Sequence, residues 1–458
     1  MDALMPLRRG RKAIAIETVD RAGLAICRKR LGARAARWLQ ATGFTAAAGQ
    51  VALLPAADGT LQRVLAGVDR DEPLWALGHL PSTLPPGTYA LAAEGVLADT
   101  RLAALGFALG AYRYTRYKAA RRAPARLAVD AALHAGLAPL LEATTRVRDL
   151  VNTPTEDLGP EQLADAVRAV AQPHAATVRE WIGAALLEAD FPAIHAVGRA
   201  SHRAPRLIEL HWGNREHPRL VLVGKGVCFD TGGLDLKTGD GMRWMKKDMG
   251  GAAHALALAG WVMRADLPVN LTLLIPAVEN AIAANAYRPG EVIRTRNGLS
   301  VEIDNTDAEG RVILGDALAY AGEQQPDLII DFATLTGAAR VALGPDLPAL
   351  FANRDALADA ALAAAQAEHD PLWRLPLWRP YRRLLDSHIA DFANSGASRH
   401  AGAITAALYL ERFMPAQTPW LHLDTYAWND GDRPGRPRGG EALGLRAMFA
   451  LLAQRYRG

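Results

Sequence analysis

Only two cysteines, Cys27 and Cys228, occur in the 458 residues. A disulfide framework and a cysteine-rich zinc site are both excluded, and the shortage fits a reducing compartment. Lysine is scarce as well. Of 52 basic residues only seven are lysines: Lys12, Lys29, Lys118, Lys225, Lys237, Lys246 and Lys247. Long apolar runs are missing. The longest helix-like one, "AAHALALAGWVM" (residues 252–263), contains His254 and falls short of the roughly 20 residues that a bilayer demands. The amino-terminal "MDALMPLRRGRKAIAIETVD" has no continuous apolar stretch behind its basic residues and no cleavage signature. Neither a signal peptide nor a membrane partner is expected, and the expected location is the cytoplasm.

Several catalytic signatures are absent too. There is no HExxH or other close histidine pair for a zinc peptidase, and no GxSxG for a serine hydrolase. "VGKG" lacks the spacing of a phosphate loop. No repeat at solenoid periods is present. His254 on a helix face is expected to be packed or hydrogen-bonded, and Cys228 to be buried filler and not a nucleophile. Trp373, Trp378 and Trp420 are expected in the core or at subunit contacts.

What is present is the profile of a soluble globular enzyme, 50% hydrophobic and 22% charged, at a length that implies two domains. A net charge of +4 is small for this length, so nucleic acid is not an expected partner. The first hundred residues alternate short apolar runs with Gly/Pro breaks, predicting a small, non-catalytic α/β domain over residues 1–130. "LGAYRYTRYKAARRAPARLAV" (residues 109–129) reads as a solvated helix and linker closing it, with a connector over 131–145. From 146 to 458, strands ("RLVLVGKGVCF", "VNLTLLIPAVE", "DLIIDFATLTG", "WLHLDTYAW") alternate with helices ("MGGAAHALALAGWVMRA", "RVILGDALAYAGEQ", "AITAALYLERFM"). This alternation predicts a larger α/β domain with a mostly parallel central sheet covered by helices. Ligands of such sheets bind beyond the strands' carboxyl ends. "GKG", "FDTGG", "DNTDAEGR" and "ATLTG" all fall there.

Four of the seven lysines sit within "VGKGVCFDTGGLDLKTGDGMRWMKKDMGGAA" (residues 223–253). Lysine can give up its proton when buried near other cations, whereas arginine effectively cannot, so a lysine-demanding segment marks chemistry. Lys225, Asp230, Lys237 and Asp248 punctuate it. In "DNTDAEGR", Asp307, Glu309 and Arg311 alternate with small residues, and an extended strand would put all three on one side. Three aspartates and a glutamate buried together would hold their protons unless divalent cations neutralised them, and two such ions would suffice. Lys246 and Lys247 are expected to be solvated.

"GKGVCFDTGG…MKKDMGG" and "NTDAEGR" together resemble the leucyl (cytosol) aminopeptidase family of di-metal peptidases. The resemblance runs from about Arg146 to the carboxyl terminus and extends weakly upstream through "LGAYRYTRYK". It implies metal ligation by Lys225, Asp230, Asp248, Asp307 and Glu309. Asp230 and Glu309 would bridge two ions, Lys225 and Asp248 would complete the tighter site, and Asp307 would serve the more labile one. Lys237 and Arg311 match the catalytic cations, Arg311 holding a bicarbonate that acts as general base. Met245, Asn305, Thr334 and Gly337 match substrate-pocket positions.

The activity so implied is removal of neutral, leucine-like residues from peptides with a free N-terminus, through a hydroxide bridging two Mn2+ or Zn2+ ions, in a homohexamer. Thr231 stands where the family commonly has Ser, "LDLKTGDGMRW" departs from its frequent wording, and Val312 replaces a common Leu. None of these removes a ligand. Two alternatives stand beside this expectation: a DNA-binding protein that keeps the aminopeptidase fold, and an inactive oligomeric scaffold.

Overall fold

The computed structural model describes residues 3–7, 12–396 and 398–457. Part of the amino-terminal stretch read for a leader lies outside the described residues. Among them no helix is long and apolar enough to cross a membrane. The chain divides into two compact units, Met1–Thr145 with Asn429–Gly439, and Arg146–Trp428 with Gly440–Gly458.

The first unit carries a six-stranded sheet in the order Leu4–Pro6, Arg126–Val129, Thr88–Leu91, Ile14–Val19, Leu61–Gly67, Val51–Pro55. All its ladders are parallel except the last, where Val51–Pro55 runs antiparallel on the edge. Ile16, Leu65 and Tyr89 are fully buried, as parallel strands flanked by helices require. Residues 109–129 differ from expectation. The helix ends at Gly110, no regular element covers residues 111–125, and Arg126–Val129 is a strand between two others. The apolar "LAV" behind Pro124 has ladder partners on both sides, which the arginine and tyrosine density in front of it masks.

The second unit is built on a nine-stranded sheet. Its central strands are Trp420–Asp424, Leu328–Ala333, Arg219–Gly224 and Asn270–Asn280, all parallel. Ala349–Ala352 flanks them antiparallel on one side and Arg206–Trp212 on the other, and Thr177–Ile182 pairs antiparallel with Arg206–Trp212 beyond it. The unbroken apolar runs of the central strands follow from burial on both faces by helices that include Gly250–Arg264 and Glu309–Glu323.

"RLVLVGKGVCF", expected as one strand, is two. Arg219–Gly224 and Gly226–Asp230 both pair with Asn270–Asn280, and Lys225 is the break between them. Its backbone is still held: N–H donates to Phe332 O at 3.0 Å and C=O accepts from Ala252 N at 2.8 Å. At Gly226 a Cβ would lie 2.6 Å from Pro276 O, so only glycine lets the chain turn so close to its neighbour. The break turns the Lys225 side chain to the carboxyl edge of the sheet.

Candidate active site

At that edge one cavity of about 590 Å3 is lined by Lys225, Asp230, Lys237, Asp248, Asp307 and Arg311, among others. Met245, Asn305, Thr334 and Gly337 line it too. Glu309 lies just behind the wall, 1% exposed. Every residue singled out from the sequence as a site candidate therefore converges on one place.

The local backbone differs from expectation at "DNTDAEGR". It is not extended: Thr306–Ala308 form a 3-10 turn and Glu309 opens the helix Glu309–Glu323. Asn305 causes the turn, its Oδ1 accepting the Asp307 N–H at 2.8 Å. The turn swings Asp307 beside Glu309, so the two carboxylates meet by a change of backbone direction and not by strand alternation. At Gly310 a Cβ would stand 2.5 Å from Lys225 Cε, so the lysine reaches the acids only because this position is bare.

Lys225 Nζ lies 2.7 Å from Asp248 Oδ2 and 2.8 Å from Glu309 Oε1, and donates to Thr334 O at 3.0 Å. Lys237 Nζ lies 2.8 Å from Asp230 Oδ2 and pairs with Asp307 Oδ1. Asp230 also accepts from Gly232 N at 2.9 Å and from Asn280 Nδ2 at 2.8 Å. Thr334 Oγ1 donates to Asp248 Oδ1 at 2.8 Å. Arg311 Nη1 donates to Asn394 O at 2.8 Å, while its Nε has no partner among the described residues.

Four carboxyls thus share two ammonium groups, and the imbalance shows in their acidities. Burial, then the neighbouring Asp230, pushes Glu309 up to about 8 and Asp307 up to about 6. Burial also opposes ionisation of Asp248, but Lys225 outweighs it and holds that carboxyl below its usual range. Burial likewise opposes the charge on Lys225, and Asp248 and Glu309 overcome it and hold the amine protonated.

The donor set fits divalent cations. Asp230, Asp307 and Glu309 offer oxygens all within 4.8 Å of one another. Asp248 Oδ2, Asp307 Oδ1 and Glu309 Oε1 are buried and accept no well-aligned hydrogen bond from the described residues, although lysine amines stand close by. Such crowding of hard oxygen donors is costly unless cations occupy it.

Some residues were not foreseen. Lys247, expected in solvent, is only 6% exposed and lines the cavity, with burial pushing its amine down to about 8. Lys246 is half-buried and donates to Asn152 O at 2.6 Å. Both belong to the 3-10 turn Met245–Met249 between loop and helix, which carries them inward with Asp248. Asp424 ends its strand and accepts Leu335 N at 3.0 Å and Thr336 N at 3.2 Å, fixing the loop that presents Thr334. A polar residue closing an apolar strand was the available signal.

His254 is a packing residue: Nδ1 bonds Gly250 O at 2.7 Å and Nε2 accepts Leu443 N at 3.0 Å. Cys228 is buried, and burial raises its thiol well above the usual range. Trp420 is core, but Trp373 and Trp378 are 58% and 54% exposed.

A profile described as "Cytosol aminopeptidase family, catalytic domain" matches residues 145–449, and one described as "M17 aminopeptidase, N-terminal domain" matches residues 14–130. The chain belongs to the cytosol aminopeptidase family. A crystal structure of a cytosol aminopeptidase from Coxiella burnetii is similar over 100% of both chains, with TM-score 0.97 and 50% identity. The bottromycin maturation enzyme BotP in complex with Mn has TM-score 0.86 and 34% identity, over 97% of this chain and 99% of that one. A curated relative from Syntrophotalea carbinolica, "Probable cytosol aminopeptidase", is 44% identical over 331 residues. That alignment covers 71% of this chain and 65% of the relative, just under two thirds of its length. The family and the two-part α/β organisation inferred from the motifs both hold.

Proposed function

We propose that the protein is a metal-dependent aminopeptidase, a hydrolase of the N-terminal peptide bond. The observation that carries this is the convergence of four carboxyls and two lysines, too acidic to be self-neutralising, in a family whose description names the activity. Lys225, Asp230, Asp248, Asp307 and Glu309 would hold two divalent cations, with Asp230 and Glu309 between them. The Mn complex of BotP supports manganese, and zinc would suit the same donors. Bound there, the ions supply Lewis acidity and acidify water.

The chain's own residues have these roles. Lys225 must release its proton to ligate, so loading couples to deprotonation. Lys237, ammonium-bearing and 16% exposed, is placed to polarise the scissile carbonyl oxygen. Arg311 lines the cavity with its Nε unpartnered among the described residues, and would hold a bicarbonate, whose chemistry is that of a general base. Met245, Asn305, Thr334 and Gly337 would line the pocket for a neutral, leucine-like first residue. Residues 1–130 would form a non-catalytic domain, 131–145 a connector and 146–458 the catalytic domain. Exposed Trp373 and Trp378 support a subunit-contact role in a homohexamer, and the family's name supports a cytoplasmic location.

Elemental analysis of the purified protein, run beside a panel of aminoacyl amides with and without chelator, tests this. About two ions per chain and chelator-sensitive release of leucine are expected. A metal-replete protein inert on every amide would sink the proposal.

A further inference from the structure

Lys247 is the one buried lysine of the cavity whose charge the acid cluster does not take up. Asp248, its chain neighbour, is occupied by Lys225 at 2.7 Å and by Thr334 Oγ1 at 2.8 Å. Lys247 favours the ionised form of Asp248 from a distance, but no ion pair joins them. Among the described residues its Nζ meets no carboxylate and no hydrogen-bond acceptor, only the ring of Tyr426, whose centroid is 5.0 Å away. Arg340 lies over the same ring at 4.8 Å and likewise has no acidic partner among the described residues. Both cations line the cavity that holds the acid cluster. Most of the Lys247 side chain is buried and the residue lines the cavity, so an acceptor that offsets its charge can reach it from the cavity side.

We infer that Lys247, with Arg340 beside the same Tyr426 ring, forms a subsite for a carboxylate of the substrate. The inference rests on the aminopeptidase proposal and deepens it. The carboxylate has two possible sources: an acidic side chain on the first residue, or the C-terminal carboxylate of a short peptide. Either would form a charge-assisted contact that the corresponding amide cannot. Lys247 is a specificity residue here, not a member of the reacting set.

Calorimetric titration of the metal-loaded, full-length protein tests it without turnover. L-Glutamate is compared with L-glutamine for the first source. The reduced-bond analogue of leucyl-glycine is compared with its C-terminal amide for the second. At least one acid should bind about tenfold tighter than its amide. Lys247→Met should bring that ratio below about twofold and Arg340→Met should lower it about threefold, less because the arginine is exposed. Ratios below about twofold in the unaltered protein for both pairs, or a ratio that survives Lys247→Met, would overturn the subsite. Should Lys247→Met not fold, the unaltered protein and Arg340→Met still decide. A protein that discriminates the acids yet hydrolyses no aminoacyl amide counts against the proposed activity and for the subsite.

Discussion

Two buried clusters of opposite charge meet different fates in this chain. In the first unit Glu17, 1% exposed on a central strand, is paired with Arg30 and with Arg63 at 2.6 Å, and accepts from Cys27 Sγ at 3.2 Å. Burial opposes its charge, yet the two guanidiniums and the thiol more than offset this and hold the carboxyl below its usual range. One acid with two permanent cations is complete. In the second unit four acids share two lysines, and Asp307 and Glu309 are driven the other way, towards holding protons. A structural cluster closes its own charge with arginine. The candidate site leaves charge open and uses lysine, which can release a proton when a metal arrives.

Removing an acid from the open cluster should show the largest effect. Glu309→Ala is expected to abolish hydrolysis of leucine amide, by about a thousandfold or more, and to lower bound metal by elemental analysis. Retained turnover in a metal-replete preparation would refute its bridging role. Lys237→Ala should keep the metal and cut kcat by about a hundredfold, as for loss of one preorganised donor to a developing oxyanion. A change confined to KM would show that Lys237 only binds.

How far the chain disclosed this beforehand depended on what each signal measures. Lysine scarcity pointed to Lys225 and Lys237 because it reports side-chain chemistry, which does not depend on backbone path. The same count took in Lys246 and Lys247, yet both were expected in solvent, since nothing in "MKKDMGG" tells that a 3-10 turn buries Lys247, Asp248 and Met249. Asp307 and Glu309 were found for the wrong geometric reason: alternation suggested a strand, while the Asn305 cap makes a turn into a helix. Lys225 as a strand break was hidden because Val223 and Val227 on either side are equally apolar and equally buried. Asn280 and Asp424 went unseen because their roles depend on strands far apart in sequence lying side by side. Periodicity disclosed the elements, and the ladders between them required the structure.

The closed cluster yields smaller, structural effects. Glu17→Gln should destabilise the protein by about 1–3 kcal/mol in urea unfolding, because Arg30 and Arg63 are partly exposed and recover some hydration. Turnover per folded molecule should not change. The pH dependence has a definite sign. A carboxyl lowered in the folded state contributes stability that is present above its ordinary value of about 4.5 and is lost as pH falls through the depressed folded value. The unaltered protein should therefore lose more stability between neutral pH and pH of about 3 than Glu17→Gln does. Equal losses would mean that Glu17 is not the group held ionised.

The smallest effect sharpens the contrast most. Arg63→Lys keeps a cation beside Glu17 and should cost less than about 1 kcal/mol, since the strongest demand there is for charge and Arg30 remains. The matching exchange in the open cluster, Lys225→Arg, also preserves charge, yet a guanidinium cannot deprotonate to ligate, so metal content should drop as far as with Glu309→Ala. If Lys225→Arg loads metal normally, then charge alone matters at both places, and the scarcity of lysine loses its meaning.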